Sequence, residues 1–413
     1  MAFLSGIKNT VLLSVLMIAA CGNQGKSQKK IETVSTQEIP VKKEKSIIVA
    51  ANNTAAYLPI LQGKKIAVVA NPTSVIFKND NTHTHLVDSL RSLQIDIKKV
   101  FAPEHGFRGA ADAGETVKDG IDTKTGLALI SLYGKNKKPT AEQLLDVDLV
   151  LFDIQDVGVR FYTYIATLQL VMEACAALDI PVVLLDRPNP NGSYVDGPTM
   201  EAKHRSFLGM TQIPLVYGMT IGEYAEMINE EGWLSEGVKA QLTVIPLQNY
   251  KRSRPYSLPI RPSPNLPNDL AINLYPSLGF FEGTFVNAGR GTGDQFQRYG
   301  APFMKSSSYG FKYTPEPNFG AKHPKHKGEI CYGKDLSTHQ FIYEINLEWL
   351  LDAYLHTKDK TAFFNTASFT KHAGTALLQQ QIESGLSASE IKASWQNDIE
   401  AFTKRRAPYL RYE

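Results

Sequence analysis

The chain has little of what would mark several common classes of protein. Three cysteines in 413 residues cannot supply a disulfide framework, so the fold must depend on a hydrophobic core. The formal net charge is only +3, from 44 basic and 41 acidic residues. No long basic stripe is present, which argues against a nucleic-acid partner. The nine histidines form no H-E-x-x-H motif, and we expect no metal site.

Motifs for nucleotides and for nucleophilic serine are also missing. No G-x-x-x-x-G-K-[ST] segment occurs, and the first predicted strand leads into "NPTS" rather than G-x-G-x-x-G. No G-x-S-x-G elbow is present either. We therefore expect no cofactor.

The amino-terminal segment has the pattern of an export signal. Lys8 precedes the apolar run "VLLSVLMIAA" (11–20), which is short for a membrane span and ends in "IAAC" at Cys21. Residues 1–20 are predicted to be a lipoprotein signal peptide, with cleavage before Cys21 and lipidation of its thiol. The alternative is an ordinary secretory signal followed by a chance cysteine.

A lipidated Cys21 would hold the protein at a membrane surface. We thus expect an exported, membrane-anchored lipoprotein of the periplasm. Lysine, glutamine, serine and glutamate dominate the residues that follow Cys21. This composition predicts a disordered tether, which we assign to residues 21–54.

Residues 55–200 are predicted to form an α/β domain. Short apolar runs alternate with helical patterns, and several are continuous in Val, Ile and Leu, as in strands buried on both faces. The order indicates a doubly wound, mostly parallel sheet. The predicted strands are 64–71, 95–103, 127–134, 148–156 and 181–190.

The pattern changes in the second half. A helix is predicted to begin at Thr220, which forms a capping box with Glu223. A stretch rich in proline, asparagine and aromatic residues follows, and the chain ends in helical patterns. We assign residues 201–413 to a second, smaller α+β domain that closes over the active-site cleft; the oligomeric state stays open.

Ionisable side chains gather where the predicted strands end, above all in "FAPEHGFRGAADAGE" (101–115). The carboxyl ends of parallel strands share one edge of the sheet, so these loops should meet in a site. Two carboxylates in unlike environments suit glycoside hydrolysis. Helix caps and loop salt bridges are the structural alternative. The candidate carboxylates are Glu104, Asp153, Asp156, Asp186 and, from the second half, Glu282.

Four arginines lie in or beside the same loops, and arginine binds carboxylates and phosphates in a bidentate manner. The substrate is therefore expected to carry an anion, although pairing with Asp153 or Asp186 is an equal alternative. The arginines are Arg108, Arg160, Arg187 and Arg290. The cluster "KHPKHKG" (322–328) is interpreted as a solvated loop.

A series of motifs resembles one known family. They are "APEHGFRG", "FDIQDVGVRFYTYI", "LDRPNPNG", "VYGMTIGEYA", "RPSPNLP", "YPSLGFFEGT", "GRGT" and "SWQNDIEAFTKRRAPYLRY". In this order, over about residues 55–413, they resemble the exo-β-N-acetylmuramidases, the NamZ-type glycoside hydrolases. The resemblance implies release of N-acetylmuramic acid from the non-reducing ends of peptidoglycan fragments. It also implies a Rossmann-like domain and a smaller domain, with the site between them.

The resemblance assigns the family's catalytic glutamate to Glu104, which we expect to act as general acid. Glu282 or Asp156 would be the base or stabiliser, or the acetamido group of the substrate would assist. The expected substrate-binding residues are His105, Arg108, Asp153, Gln155, Arg160, Asp186, Arg187, Asn189, Asn265 and Arg290. Two alternatives remain: a non-catalytic lipoprotein that binds wall sugars, and a wall amidase or esterase.

Overall fold

The computed structural model describes residues 45–79, 82–109 and 119–413. The predicted signal peptide, Cys21 and the tether as far as residue 44 lie outside these ranges. The tether was expected to reach residue 54, which is wrong for its last ten residues. Ile48 and Gln248 exchange backbone hydrogen bonds of 3.0 Å, and Val49, Ala50 and Ala51 are buried. The apolar run "SIIVAA" is ordered because it packs against the sheet domain.

A seven-stranded sheet dominates the described chain, in the order β5-β6-β4-β1-β7-β8-β9. All neighbours pair in parallel except β5, which is antiparallel to β6. Its strands are β1 (Ile66–Ala70), β4 (Ile97–Ala102), β5 (Gly120–Ile121), β6 (Ala128–Ser131), β7 (Leu149–Asp153), β8 (Val182–Leu185) and β9 (Leu242–Ile245). The predicted α/β class with a mostly parallel sheet is confirmed.

The six parallel strands have the order of a Rossmann fold. Counted along the chain, they lie in the sequence 3-2-1-4-5-6 across the sheet. The order reverses between β1 and β7, so ligands in such folds bind beyond the carboxyl ends of these two strands. In this protein, buried side chains fill this topological switch point.

Helices cover both faces of the sheet and recur through the second half. They are α1 (Thr54–Leu61), α2 (Leu86–Ser92), α3 (Ala141–Leu144), α4 (Tyr164–Ala176), α5 (Ile221–Glu230), α6 (Asp269–Leu278), α7 (Glu348–His356), α8 (Thr366–Ala373), α9 (Leu377–Glu383), α10 (Ala388–Ser394) and α11 (Gln396–Arg406). The capping box at Thr220 forms, so α5 begins where the sequence predicts, and a second capping box at Thr140 begins α3. Within the described ranges, no helix has the length and apolar character needed to cross a membrane.

Alternating residues of the central strands face two hydrophobic clusters. In β1, Ala67 and Val69 face α4 and α5, whereas Ile66 and Val68 face α1 and α2. The first cluster continues without a break into α6 and the carboxyl-terminal helices. Strand β9 also belongs to the large sheet, which therefore extends past residue 200. The domain boundary assigned to residue 200 stays a prediction.

Two smaller sheets accompany the large one. One antiparallel sheet has the order β10-β12-β11, made of Arg298–Ala301, Cys331–Asp335 and Phe311–Tyr313. The hairpin of β2 (Val75–Phe77) and β3 (His83–His85) lies in the first half and leads into α2. The smaller sheet supports the loop that carries Arg290.

Candidate active site

A cleft of about 530 Å³ opens where the first half of the chain meets the second. Its walls combine acidic, basic, amide and aromatic side chains, which is the composition of a pocket for a polar ligand. The residues that line it include Glu104, His105, Tyr133, Lys137, Thr163, Phe207, Ser263, Asn265, Tyr275, Glu282, Arg290, Lys371 and His372. Five of the predicted site residues are among them: Glu104, His105, Asn265, Glu282 and Arg290.

Glu104 enters the cleft from a strained turn at the end of β4. His105, the next residue, has a φ of 70°, which side-chain-bearing residues rarely adopt, and Gly106 follows at 77°. Strain of this kind persists where the surrounding structure holds it, commonly at functional sites. The Tyr164 hydroxyl donates to the backbone oxygen of Glu104 at 3.3 Å. The turn therefore fixes the direction of the Glu104 side chain.

Two hydroxyl groups donate to the Glu104 carboxylate. Thr163, the N-cap residue of α4, donates to Oε2 at 2.9 Å. The Tyr133 hydroxyl, just beyond β6, forms a second side-chain hydrogen bond. Burial, and then the charge of Glu104, raise the pKa of Tyr133, so this phenol remains a protonated donor. Neutral donors orient the carboxylate without adding positive charge.

Glu282 lies in a different environment, on the single turn Gly279–Gly283 that follows α6. Arg290 donates to its Oε2 at 3.0 Å. Burial alone would raise the pKa of Glu282, but the charges of Arg290, Lys325 and His372 outweigh it and hold the pKa below its ordinary value. Glu282 is therefore ionised at neutral pH.

Lys325 anchors this second environment. It donates to the backbone oxygens of Phe281 at 2.8 Å and Thr284 at 2.7 Å, around the turn that carries Glu282. Burial lowers the pKa of Lys325. The interpretation of "KHPKHKG" as a solvated loop is therefore wrong for Lys325, because backbone carbonyls replace its water.

The charges of both carboxylates act on the Tyr275 hydroxyl. Burial, then the charge of Glu282, then that of Glu104, raise the pKa of its hydroxyl. Both glutamates thus act electrostatically on one phenol in the cleft. The ring of Tyr275 also makes edge contacts with Phe161 and Phe296, at centroid distances of 5.1 and 4.8 Å. These rings give the cleft an apolar wall beside its carboxylates.

An amide group completes the described lining. His105 Nε2 lies 3.2 Å from the Ser263 hydroxyl, which accepts from the backbone N–H of Asn265. The Asn265 side-chain nitrogen donates to the Gly320 oxygen at 2.6 Å. Its Oδ1 is buried, with no hydrogen-bond partner among the described residues. An unpaired acceptor of this kind costs about 1–3 kcal/mol, which a donor from a ligand would relieve.

Three predicted binding residues instead fill the topological switch point. Arg187 makes a bidentate contact with Asp153, at 2.6 and 2.8 Å, and both side chains are fully buried. Ser74 donates to the Asp153 backbone oxygen, and the Gln155 side chain donates to the Asp156 and Pro188 oxygens. None of Asp153, Gln155 and Arg187 lines the cleft. We correct their assignment from substrate binding to internal pairing.

Asp156 and Asn189 also lie outside the cleft lining. Tyr217 donates to Asp156 Oδ2, as does the Gly158 backbone, and burial raises the pKa of Asp156 to about 6. The Asn189 amide donates to the Met219 oxygen at 2.8 Å, and its Oδ1 accepts from the backbone of Asn191. Asp156 is thus held by partners inside the protein and does not line the cleft, where the second catalytic group was expected.

Asp186, Arg160 and Arg108 have structural partners as well. Asp186 accepts from Thr220, the Gly222 backbone and Tyr412 at 2.7–2.9 Å, and burial raises its pKa to about 6. Arg160 donates to four backbone oxygens, those of Pro198, Ile213, His372 and Ala373. Arg108 pairs with Asp122 at 2.7 Å and Asp88 at 3.0 Å. Each was expected to bind substrate, and none lines the cleft.

Sequence reasoning overlooked several residues that the structure brings to the cleft, chiefly Tyr133, Thr163, Tyr275 and His372. The sequence could have indicated Tyr133, because this residue follows β6 and polar residues beyond the ends of parallel strands are candidates for a site. Thr163 is the N-cap residue of α4 and Tyr275 lies in the stretch rich in proline, asparagine and aromatic residues, and neither has a charged side chain that would have marked it. No group of three or more His, Cys, Asp or Glu in the described ranges has the arrangement of a metal site.

A cleft with one glutamate among neutral hydroxyl donors, one ionised glutamate beside cations and an aromatic wall is the arrangement of a glycoside hydrolase. Comparison with known families agrees. The amino-terminal model for exo-β-N-acetylmuramidase NamZ matches residues 66–270, and the carboxyl-terminal model matches residues 273–412. The chain belongs to the exo-β-N-acetylmuramidase NamZ family, which confirms the resemblance stated from its motifs.

Individual relatives support the same conclusion. Peptidoglycan β-N-acetylmuramidase NamZ of Bacillus subtilis (strain 168) is 38% identical over 377 residues, 86% of this chain and 89% of the relative. Two crystal structures of DUF1343 family proteins from Bacteroides fragilis also match, each over 89% of this chain and 99% of the other. Their TM-scores are 0.81 at 43% identity and 0.76 at 26% identity.

The corrected assignment of Arg187 makes a prediction about stability. Arg187→Met should lower the free energy of unfolding by about 3–5 kcal/mol, because it leaves the buried Asp153 carboxylate unpaired. Lys239→Met is the matched control, since its pair with Glu230 is exposed and contributes little. Urea denaturation of the wild type and both variants measures the difference. A variant of unchanged stability with a raised KM would return Arg187 to the binding site.

Proposed function

We propose that this enzyme releases N-acetylmuramic acid from the non-reducing ends of peptidoglycan fragments, with Glu104 as the general acid. The observation that carries the role of Glu104 is its placement: a carboxylate at a strained turn, oriented in the cleft by Thr163 and Tyr133. The Bacillus subtilis relative, named a peptidoglycan β-N-acetylmuramidase, supports the substrate class.

In the proposed reaction the bond between C1 of the terminal sugar and the bridging oxygen breaks. Protonated Glu104 gives its proton to that oxygen, so the remaining fragment leaves as an alcohol. Positive charge develops at C1 and the ring oxygen, and ionised Glu282 stabilises it or aligns the substrate's acetamido group, which assists in some glycosidases. Water then adds to C1 and gives its proton back to the Glu104 carboxylate.

The cleft also offers groups that fit the substituents of muramic acid. The Asn265 side-chain oxygen suits the N–H of the acetamido group, because that acceptor is otherwise unsatisfied. The lactyl substituent carries a carboxylate, and Arg290 and Lys371 supply positive charge to the same cleft. Tyr275 and Phe296 offer apolar surface to the sugar ring. This assignment leaves His105 to position Ser263.

Glu104→Gln should lower kcat on the disaccharide of N-acetylmuramic acid linked to the next amino sugar by at least about a hundredfold, the usual contribution of a general acid. The amide keeps the size of the side chain but has no acidic proton. Release of free N-acetylmuramic acid measures the loss. Glu142→Gln is the matched control, because Glu142 is exposed on α3. Full activity in a folded Glu104→Gln variant would exclude Glu104 as the acid.

The environment of Glu282 predicts a pH effect. If ionised Glu282 is required, kcat/KM falls as the pH drops through its pKa, which lies below the ordinary 4.5. Arg290→Gln removes the nearest cation and leaves burial less opposed, so the pKa of Glu282 rises and the acidic limb moves to higher pH. Profiles of kcat/KM against pH measure the shift. Exposed Arg91→Gln is the control, and an unmoved limb would contradict the role of Glu282.

We further propose that the chain is exported as a lipoprotein of the periplasm and anchored through lipid on Cys21. Support comes from the sequence alone: the apolar run 11–20 and the "IAAC" sequence that ends it. Acyl chains would hold the enzyme at a membrane, near its polymeric substrate.

Cys21→Ala should abolish lipidation of the full-length protein in bacteria. The wild type is expected to partition into the detergent phase of a Triton X-114 extraction and to incorporate labelled fatty acid. The variant lacks the thiol that carries the lipid, so it should do neither. A wild-type protein that stays in the aqueous phase without label would instead favour an ordinary secretory signal.

A further inference from the structure

The catalytic cleft continues into a second cavity. This cavity, of about 460 Å³, shares Lys137, Ser206 and Phe207 with the cleft and extends past them to Trp233. Both volumes lie in the range of pockets that hold small ligands, about 300–1,000 Å³. The two cavities therefore adjoin along these three residues, and we call the pair the groove.

Glu104 lies close to the junction between the two cavities. Its carboxylate accepts from Tyr133, and the Tyr133 ring lies 6.4 Å from the Phe207 ring. The Lys137 ammonium group lies 4.6 Å from the centre of the Phe207 ring. A general acid must contact the oxygen between the sugar that is released and the sugar that remains. Glu104 near this junction therefore leaves the cleft for one sugar and the second cavity for the other.

The far wall of the second cavity is built for a polar ligand with an apolar face. The Gln169 amide donates to Glu173 at 3.1 Å and to the Trp233 backbone oxygen at 3.3 Å. Gln169 is 3% exposed, and its Oε1 has no hydrogen-bond partner in the described part of the chain. The Trp233 ring, contacted by Arg405 at 5.6 Å, lines the same cavity. An N-acetylated sugar has both the ring face and the donors that these groups would meet.

We propose that the cavity from Phe207 to Trp233 binds the N-acetylated sugar next to the terminal residue, on the leaving-group side of the cleaved bond. This inference rests on the proposed function and adds a specificity element to it. An exo-acting enzyme with this groove favours substrates that continue beyond the cleaved bond. Small aryl glycosides would end at Phe207 and make no use of Trp233.

The test compares kcat/KM for two substrates, an aryl N-acetylmuramide and the disaccharide of N-acetylmuramic acid linked to the next amino sugar. Trp233→Ala should lower the ratio of disaccharide to aryl kcat/KM about tenfold, the size of one good contact. Ser235→Trp should lower the ratio as well, chiefly through KM. Ser235 is an exposed residue of the cavity wall, so this variant fills the cavity while removing no buried group.

Tyr343→Ala is the control, because Tyr343 is an exposed aromatic residue that lines a different cavity. Its ratio should equal that of the wild type. An unchanged ratio in both Trp233→Ala and Ser235→Trp, with wild-type turnover of both substrates, would overturn the subsite alone. A wild type that turns over neither substrate would overturn the proposed function, so the two failures are distinguishable.

Discussion

The buried pair of Asp153 and Arg187 determines where this molecule can have a site. It lies at the switch point between β1 and β7, where folds of this strand order usually hold a ligand. Two buried charges are tolerated when they pair with each other, so neither Asp153 nor Arg187 is left to bind a substrate. Ser74 and Gln155 complete the filling through hydrogen bonds. Side chains of the protein itself therefore occupy the space beyond β1 and β7.

With the switch point closed, the active site moves to the neighbouring strand ends. Glu104 follows β4, Tyr133 follows β6, and Thr163 reaches them from the start of α4. The second half then supplies Glu282 with its cations. Each half of the chain thus contributes one carboxylate and also the residues that bind that carboxylate. Two hydroxyl groups donate to the Glu104 carboxylate, whereas Arg290 pairs with Glu282, so the two glutamates lie in unlike environments.

The sequence predicted the sheet well, because continuous Val, Ile and Leu runs and capping boxes are local signals. It also brought Glu104, His105, Asn265, Glu282 and Arg290 to one cleft. It could not distinguish a charge that faces a ligand from one that faces another loop. Asp186 follows a strand, and Arg160 lies near the end of another. Their partners, however, are Tyr412 and the end of α8, more than 200 residues away. Such partners are set by tertiary packing alone.

The buried carboxylates that serve the fold also affect how its pH dependence is interpreted. Burial raises the pKa of Asp156 and Asp186 to about 6. The folded state then binds more protons than the unfolded state between the ordinary pKa and that value, so these groups contribute more stability as the pH falls through this window. Glu282 has the opposite shift and stays ionised there. A loss of activity on the acidic side of this window would therefore report the chemistry of the cleft rather than destabilisation by these two buried groups.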